Sequence, residues 1–275
     1  MNHLNFTVDA DKCTHCGTCI EDCVRQIITW SNHLPTVSPE REEECIGCQH
    51  CLAVCPTAAV SIFGLNPADC LPVDRHAWPS GEQMNTLFRT RRTVRQYSST
   101  PVSADCIDAM LETIQYAPTG RNDLGLTFTL IDNRKDMVKL LEKIGELTDA
   151  AQASGTPIPE FLTDAVAAYR NDGRDHIFRG APHVLMATAD PESGCPHEDI
   201  IIALTNFYLL AECRGLGTTW CGYLKIIADT LPGLREFMGF QPSEYFYTML
   251  FGRPAVGYPR GVQRDHAQKI RRIAF

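Results

Sequence analysis

The chain has 275 residues, 44% of them apolar and 21% charged, a composition that suits a soluble protein of about two domains with enough chain to bury a core. No apolar stretch approaches the ~20 residues that span a bilayer. The opening Met1–Lys12 has neither the basic nor the apolar region of an export signal, so the cytoplasm is the expected location. A formal charge of −8 weighs against a nucleic-acid partner, because phosphate contacts need Lys and Arg.

The chain contains 13 cysteines, and eight of them are crowded between Cys13 and Cys55. An odd total without an export signal argues against a disulfide framework and for metal or redox use. Acidity sits with these cysteines: residues 1–65 carry three Lys and Arg against eight Asp and Glu. The spacing Cys13-x2-Cys16-x2-Cys19-x3-Cys23 recurs as Cys45-x2-Cys48-x2-Cys51-x3-Cys55-Pro56. A repeat this short points to a duplicated unit that buries its core as a pair.

Zinc ribbons use cysteines in pairs, whereas three at successive x2 spacings wrap one loop around three corners of a cubane and take the fourth thiolate from elsewhere. Residues 6–65 thereby resemble the two-cluster bacterial ferredoxins, in which the fourth cysteine of each run ligates the other cluster. The resemblance implies two [4Fe–4S] clusters, one on Cys13, Cys16, Cys19 and Cys55 and the other on Cys45, Cys48, Cys51 and Cys23. One departure is that Val24, not proline, follows Cys23; an added N–H near a cluster sulfur would bear on its potential. His15 and His50 sit between ligands in matching loops and read as loop residues.

Asn66–Gln83 holds three prolines and no sustained period, as a linker does. Beyond it Met84, Leu87 and Phe88 have helical spacing. Ser103 is placed to cap a helix with Ile107, Met110, Leu111 and Ile114 on one face, ending before Pro118. Leu126–Ile131 reads as a strand. Residues 134–175 read as helical with a break at Pro157 and Pro159, and the stretch around 145–175 suits either a lid or a packed insertion. A strand at His183–Ala189, an apolar helix over about 197–214 closed by Gly215, and a strand at Tyr245–Phe251 follow. His176, His183, His197 and His266 lack metal spacing and read as core or surface residues; so do the thiols Cys70, Cys106, Cys195 and Cys213. The order lacks clean βαβ alternation, so the expected class is α+β.

No G-x-G-x-x-G follows a strand and no phosphate loop is present. What the second half offers an anion is Arg91, Arg92 and Arg95 with Thr93 among them, a cluster suited to forked phosphate binding; read alone, it is equally an Arg-rich surface turn. Four segments change its weight: Arg91–Tyr97, Ala117–Asn122, Gly215–Gly222, and Gly252–Pro254 with Tyr258 and Arg260. In this order they resemble the signatures of the FMN-dependent nitroreductases over about residues 84–265.

That resemblance implies a homodimer with FMN at the subunit interface. Arg91, Arg92, Thr93 and Arg95 would meet the phosphate, ribityl chain and ring edge, with Arg260 a second phosphate ligand. Pro118, Thr119, Gly120 and Asn122 would come from the partner subunit, and Trp220, Cys221 and Gly222 would line the ring. Asp123-Leu124-Gly125 departs from the family pattern and puts substrate contacts in question. Cys221 reads as a small buried residue in a strand rather than a redox thiol. The implied architecture is a ferredoxin-like domain over 1–65, a linker over 66–83 and, over 84–275, a nitroreductase-like α+β sandwich whose mixed sheet is flanked by helices.

Together the halves imply an iron–sulfur flavoprotein oxidoreductase. An external ferredoxin, flavodoxin or NAD(P)H would supply electrons, and a small organic acceptor of nitroaromatic or quinone type would take them from FMN. The reverse current, NAD(P)H to flavin to clusters to a carrier, stays open, as does a non-catalytic redox carrier or sensor. No residue is assigned a catalytic role beyond cofactor binding.

Overall fold

The computed structural model describes residues 4–264 and 270–274; His266 lies outside them. Two compact units emerge, residues 1–78 with 121–123, and residues 79–120 with 124–275.

The first unit is small and duplicated. Strand β1 (Thr7–Val8) pairs antiparallel with β4 (Val60–Ser61), and β2 (Ile28–Ser31) with β3 (Leu34–Val37). The β2–β3 hairpin turns on Asn32 and His33, both left-handed at φ 49° and 66°, as a two-residue loop matched to strand twist demands. Helices α1 (Thr18–Glu21) and α2 (His50–Ala53) are single turns at matching places in the two cysteine runs. The backbone repeats with the sequence: left-handed residues fall at His15 and Gly47, at Gly17 and Gln49, and at Gln26 and Ala58. Leu4, Ile27, Ile28, Val37, Leu52, Val60 and Ile62 form a core that includes Cys19 and Cys51.

The stretch read as linker is divided. Residues 66–78 belong to the first unit, and helix α3 (Gly81–Thr90) begins before Met84. A capping box starts it: the Gln83 N–H donates to Ser80 Oγ at 3.2 Å, and the Ser80 N–H to Gln83 Oε1 at 2.7 Å.

In the second unit α4 (Ala104–Ile114), β5 (Leu126–Ile131), α5 (Arg134–Ala153), α6 (Glu160–Asp172), β6 (His183–Ala189) and α7 (Pro196–Cys213) follow closely the pattern read from the sequence. Strand β7 (Gly217–Trp220), helices α8 (Gly222–Thr230) and α9 (Leu234–Phe237), and β8 (Tyr245–Gly252) complete it. The α+β class holds, but the sheet runs β5-β6-β8-β7 with every pairing antiparallel rather than mixed. Strands β6 and β7 share a direction because α7 carries the chain back between them, yet β8 lies between the two, so this parallel pair never touches.

β6 is buried at all seven residues, with period-two alternation dividing them between two cores. Val184 and Met186 face the α5, α6, α8 and α9 side with Leu140, Ile144, Leu162 and Ile227. Leu185, Ala187 and Ala189 face α4 and α7 with Ile107, Met110, Ile114 and Phe207. Residues 145–175 are therefore a packed helix pair. His183 is a core residue: its Nε2 accepts the Val102 N–H at 2.9 Å, its ring stacks on Phe251, burial lowers its pKa, and its buried Nδ1 has no hydrogen-bond partner among the described residues. Among the described residues no helix is long and apolar enough to cross a membrane.

Candidate functional site

The repeated left-handed residues let each cysteine loop of the first unit curl around its own thiols, and the third cysteine of each run lies within a one-turn helix, Cys19 in α1 and Cys51 in α2. Burial raises the pKa of the Cys19 thiol, and the charges of Cys55, Cys16 and Cys13 add to it. Burial likewise raises that of Cys45, with Cys48 and Cys23 adding, and pushes Cys51 to about 12, where Cys45, Cys48 and Cys19 contribute. The charges acting on Cys19 and Cys45 are thus those of cysteines the resemblance groups with them, while Cys51 feels Cys45 and Cys48 of its own run and Cys19 of the other.

Donors point at the sulfurs: the Ala59 N–H at Cys55 Sγ (3.2 Å), the Gly47 N–H at Cys45 Sγ (3.5 Å) and the Thr18 hydroxyl at Cys16 Sγ (3.3 Å). The Val24 side chain is exposed. His50 Nδ1 lies 3.0 Å from Asp22, and the His15 ring stacks against Trp30, so both have partners away from the thiols. Among the described residues no three His, Cys, Asp or Glu side chains converge tightly enough to hold a single metal ion; a multi-iron cluster needs a wider ring of thiols than one ion does.

In the second unit three of the four signature segments are knitted together. The Val94 N–H donates to Thr218 O (3.0 Å), the Ser98 N–H to Arg253 O (2.8 Å), the Ala255 N–H to Gln96 O (2.9 Å) and the Tyr258 hydroxyl to Thr93 O (3.2 Å). The Thr219 hydroxyl reaches Val94 O, and Tyr97 Oη lies 2.9 Å from Thr219 Oγ1. Glycine is required at one of these crossings, because a Cβ on Gly217 would overlap the Val94 side chain. Gly217→Ala is accordingly expected to cost about 1–3 kcal/mol of overpacking, a fall of ~2–4 °C in Tm per kcal/mol, largely restored by adding Val94→Ala in a thermal-denaturation double-mutant cycle.

α3 ends at Arg91, whose guanidinium lies over the Tyr208 ring, 4.6 Å from the centroid. Burial lowers its pKa, and the like charges of Arg92 and Arg264 act in the same direction; burial raises that of Glu212 nearby. Among the described residues no carboxylate lies within ion-pair distance of Arg91, Arg95 or Arg260. Arg92 differs from them. Its guanidinium donates to the carbonyls of Arg91 and Arg89, at 2.5 and 3.2 Å, and so closes the C-terminus of α3 instead of facing a ligand.

Trp220 meets Tyr208 and Tyr247 edge-on, at 6.4 and 5.5 Å. Cys221 lies just past the strand, at the cap of α8, and is buried. Its thiol points at Ile177 O and its pKa is pushed up by burial to about 11, which keeps it protonated and unreactive. Gly222 opens α8, and a Cβ there would meet Tyr247 Oη at 3.2 Å.

The fourth segment lies elsewhere. The Gly120 N–H donates to the buried Asp199 carboxylate at 2.9 and 3.0 Å, and a Cβ on Gly120 would stand 2.8 Å from Cys195 Sγ. Packing on the start of α7 thus leaves no room for a side chain at Gly120. Arg91 sits at the other end of that helix, by Tyr208 and Glu212; the stretch of α7 from Asp199 to Glu212 spans about 20 Å at the helical rise. Pro118 is exposed and Thr119 half-buried beside Gly120, with Thr119 Oγ1 accepting the Leu124 N–H. Residues 121–123 group with the first unit, where the Asn122 amide donates to Ile46 O at 3.0 Å.

Sequence reasoning missed Tyr208, whose place beneath Arg91 had no local signal in an apolar helix, and a cationic cavity. That cavity, about 760 Å³, is bounded by α5, the end of α6 and residues 173–181 with Arg95 at its edge. Its arginines are scattered through the sequence from Arg95 to Arg179, so no local motif joins them.

The pattern of the nitroreductase family matches residues 88–253. The chain belongs to the nitroreductase family. Ahead of that match, residues 12–60 match the 4Fe-4S dicluster domain, so this nitroreductase-family oxidoreductase carries a ferredoxin-type domain at its amino-terminal side. A protein of Archaeoglobus fulgidus with the provisional name NADH dehydrogenase/NAD(P)H nitroreductase is 25% identical over 184 residues, covering 65% of this chain and 87% of the relative. Among solved structures, a Bacteroides fragilis nitroreductase with bound FMN superposes with TM-score 0.56 at 19% identity, over 70% of this chain and 99% of that one. A Desulfitobacterium hafniense nitroreductase with bound FMN gives 0.52 at 22%, over 69% and 97%.

Proposed function

We propose that this nitroreductase-family protein is a homodimeric iron–sulfur flavoenzyme in which two [4Fe–4S] clusters and FMN connect an external low-potential donor to an organic acceptor of nitroaromatic or quinone type. The observation that carries the reading is the duplicated cysteine loop, two runs of four thiols with repeated left-handed residues, ahead of a nitroreductase-family unit. When bound, the clusters would carry single electrons, and FMN would turn pairs of them into hydride for the acceptor.

The residues fit both groups. Cys13, Cys16, Cys19 and Cys55 would hold one cluster, and Cys45, Cys48, Cys51 and Cys23 the other, with the N–H and hydroxyl donors at Cys55, Cys45 and Cys16 tuning them. Arg91 is half-buried, with Arg92, Glu212 and Arg264 around it and no ion-pair partner among the described residues; with Thr93, Arg95 and Arg260 it would take the flavin phosphate and ribityl chain. Trp220 and the backbone at Cys221 and Gly222 would present the ring face. The placement of Arg91 and the 118–120 segment at opposite ends of α7 supports the dimer: Pro118, Thr119 and Gly120 would complete the flavin site of the other copy. Asn122, its amide already given to Ile46, would contribute less.

The test is anaerobic. Reconstituted protein is expected to hold about eight irons and one FMN per chain and to elute as a dimer, and its flavin is expected to bleach rapidly in stopped flow on mixing with reduced ferredoxin or flavodoxin. Rapid bleaching by NAD(P)H with none by reduced ferredoxin would overturn the direction of flow. The name of the Archaeoglobus relative favours NAD(P)H as the reductant of the flavin, the first step of a second reading in which the clusters would export electrons.

A further inference from the structure

We propose that the arginine-lined cavity beside the nitroreductase-family site takes the anionic substituent of an aromatic acceptor, so that the preferred substrates are aromatic carboxylates or similarly charged quinones rather than neutral nitroaromatics. This rests on the flavin reading above. At about 760 Å³ the cavity has the size of a small-molecule site, and Met137, Leu141 and Phe178 give it an apolar wall beneath a charged rim.

The rim is strongly cationic. Arg95, Arg134, Arg174 and Arg179 line it, and the one carboxylate among its lining residues is Asp175. That carboxylate is spent on backbone, accepting the N–H groups of Ile177, Phe178 and Gly180 at 3.0, 2.7 and 2.9 Å. Arg174 is paired with Asp172. Among the described residues, Arg95, Arg134 and Arg179 have no carboxylate within ion-pair distance. Arg134 opens the 20-residue helix α5, whose positive end adds to the field.

Arg179 is held in position at a conformational cost. It is left-handed at φ 56°, followed by Gly180 at 70°, a conformation unfavourable by roughly 1–2 kcal/mol for a side chain of this kind and fixed here by the Asp175 hydrogen bonds. Its location points toward the site: burial raises the pKa values of both Cys221 and Tyr97, and the charge of Arg179 opposes the rise in each. Arg174, His176 and Arg179 also line a second cavity, about 410 Å³, with Phe161, Tyr223 and a single carboxylate, Asp164, so that its lining carries two arginines against one acid; the Phe161 and Tyr223 rings stack at 4.9 Å. Tyr223 follows Gly222 directly. An aromatic ring lying against Phe161 and Tyr223 would place a charged substituent at the arginines and its reducible group toward Gly222. For a nitro group the two-electron step takes up two protons and releases one water to leave the nitroso compound, the electrons coming from the low-potential donor.

The experiment uses the full chain with clusters and FMN, and compares 4-nitrobenzoate with 4-nitrobenzamide, which share ring and nitro group but differ in charge. The benzoate is expected to be favoured about tenfold or more in kcat/KM, through KM, as charge-assisted hydrogen bonds allow, and the preference should shrink with salt. Arg179→Gln, and separately Arg134→Gln on the exposed start of α5, should bring the ratio near one with FMN content retained. Equal kcat/KM for the two compounds in the unmodified protein, or loss of FMN from both variants, would overturn the proposal, the latter by assigning the arginines to the flavin. It would also be overturned by NADPH binding more tightly than NADH in an Arg179-dependent way while the nitrobenzoate preference stays intact. If neither compound is reduced yet the benzoate binds preferentially in an intrinsic-fluorescence titration, the reductase reading fails and the anion site stands.

Discussion

Replacing Cys51 with Ser is expected to cut iron from about eight to about four per chain and to slow electron delivery from reduced ferredoxin to the flavin about a hundredfold or more. Cys51 is buried in the core of the first unit and senses the charges of Cys45 and Cys48 of its own run and of Cys19 of the other. A serine hydroxyl ionises far less readily than a thiol and is a harder donor than iron–sulfur chemistry favours. The site also loses a fixed corner, because the one-turn helix His50–Ala53 that carries Cys51 starts from a left-handed Gln49. Cys19→Ser should behave alike, being the same position in the duplicate.

Cys70→Ser, which changes an exposed thiol in no group, should leave iron content and rate unchanged. Iron and sulfide assays, EPR of the reduced protein and stopped-flow flavin bleaching give the readout. Retained FMN would show that the second unit is intact. Unchanged iron in Cys51→Ser would refute the cluster assignment.

How much of this was legible in the sequence depends on whether the signal was local. The duplication was legible because it is local, and the backbone repeats even its left-handed residues, His15 with Gly47 and Gln26 with Ala58. Leu126–Ile131 and His183–Ala189 were legible to the residue because β-branched, aromatic and apolar side chains run unbroken between turn signals. Strand β7 is four residues long and opens on a glycine, and α8 begins at a glycine immediately after Cys221, so neither had a window long enough to show a period. The start of α3 at Gly81 was signalled by the Ser80 and Gln83 capping pair, hidden among prolines.

Tertiary choices were not legible. The insertion of β8 between β6 and β7 made the sheet antiparallel, and no pattern within one strand encodes its neighbour. No local pattern shows that a side chain at Gly120 would collide with Cys195, far along the chain. Arg91 and Arg92 are adjacent and chemically identical, and only the fold makes one a capping residue and leaves the other unpaired.

That difference between two neighbouring arginines yields the second large effect. Arg91→Gln is expected to weaken FMN binding about 10- to 150-fold, the loss of one charge-assisted contact worth ~1.5–3 kcal/mol, while the apo protein barely changes. In the apo state two effects oppose each other. Removing Arg91 forfeits its packing over Tyr208, worth ~0.5–1 kcal/mol. It also removes a charge whose pKa is lowered first by burial and then by the repulsion of Arg92 and Arg264, against the attraction of Glu212. Arg92→Gln should show the converse: its bonds to the Arg89 and Arg91 carbonyls close α3, so thermal stability falls by about 1 kcal/mol while FMN affinity is nearly kept. Flavin titration and apo melting curves on the two variants separate the roles. If Arg92→Gln releases FMN and Arg91→Gln does not, the phosphate is held by the helix-capping arginine after all, and the half-buried guanidinium over Tyr208 is structural.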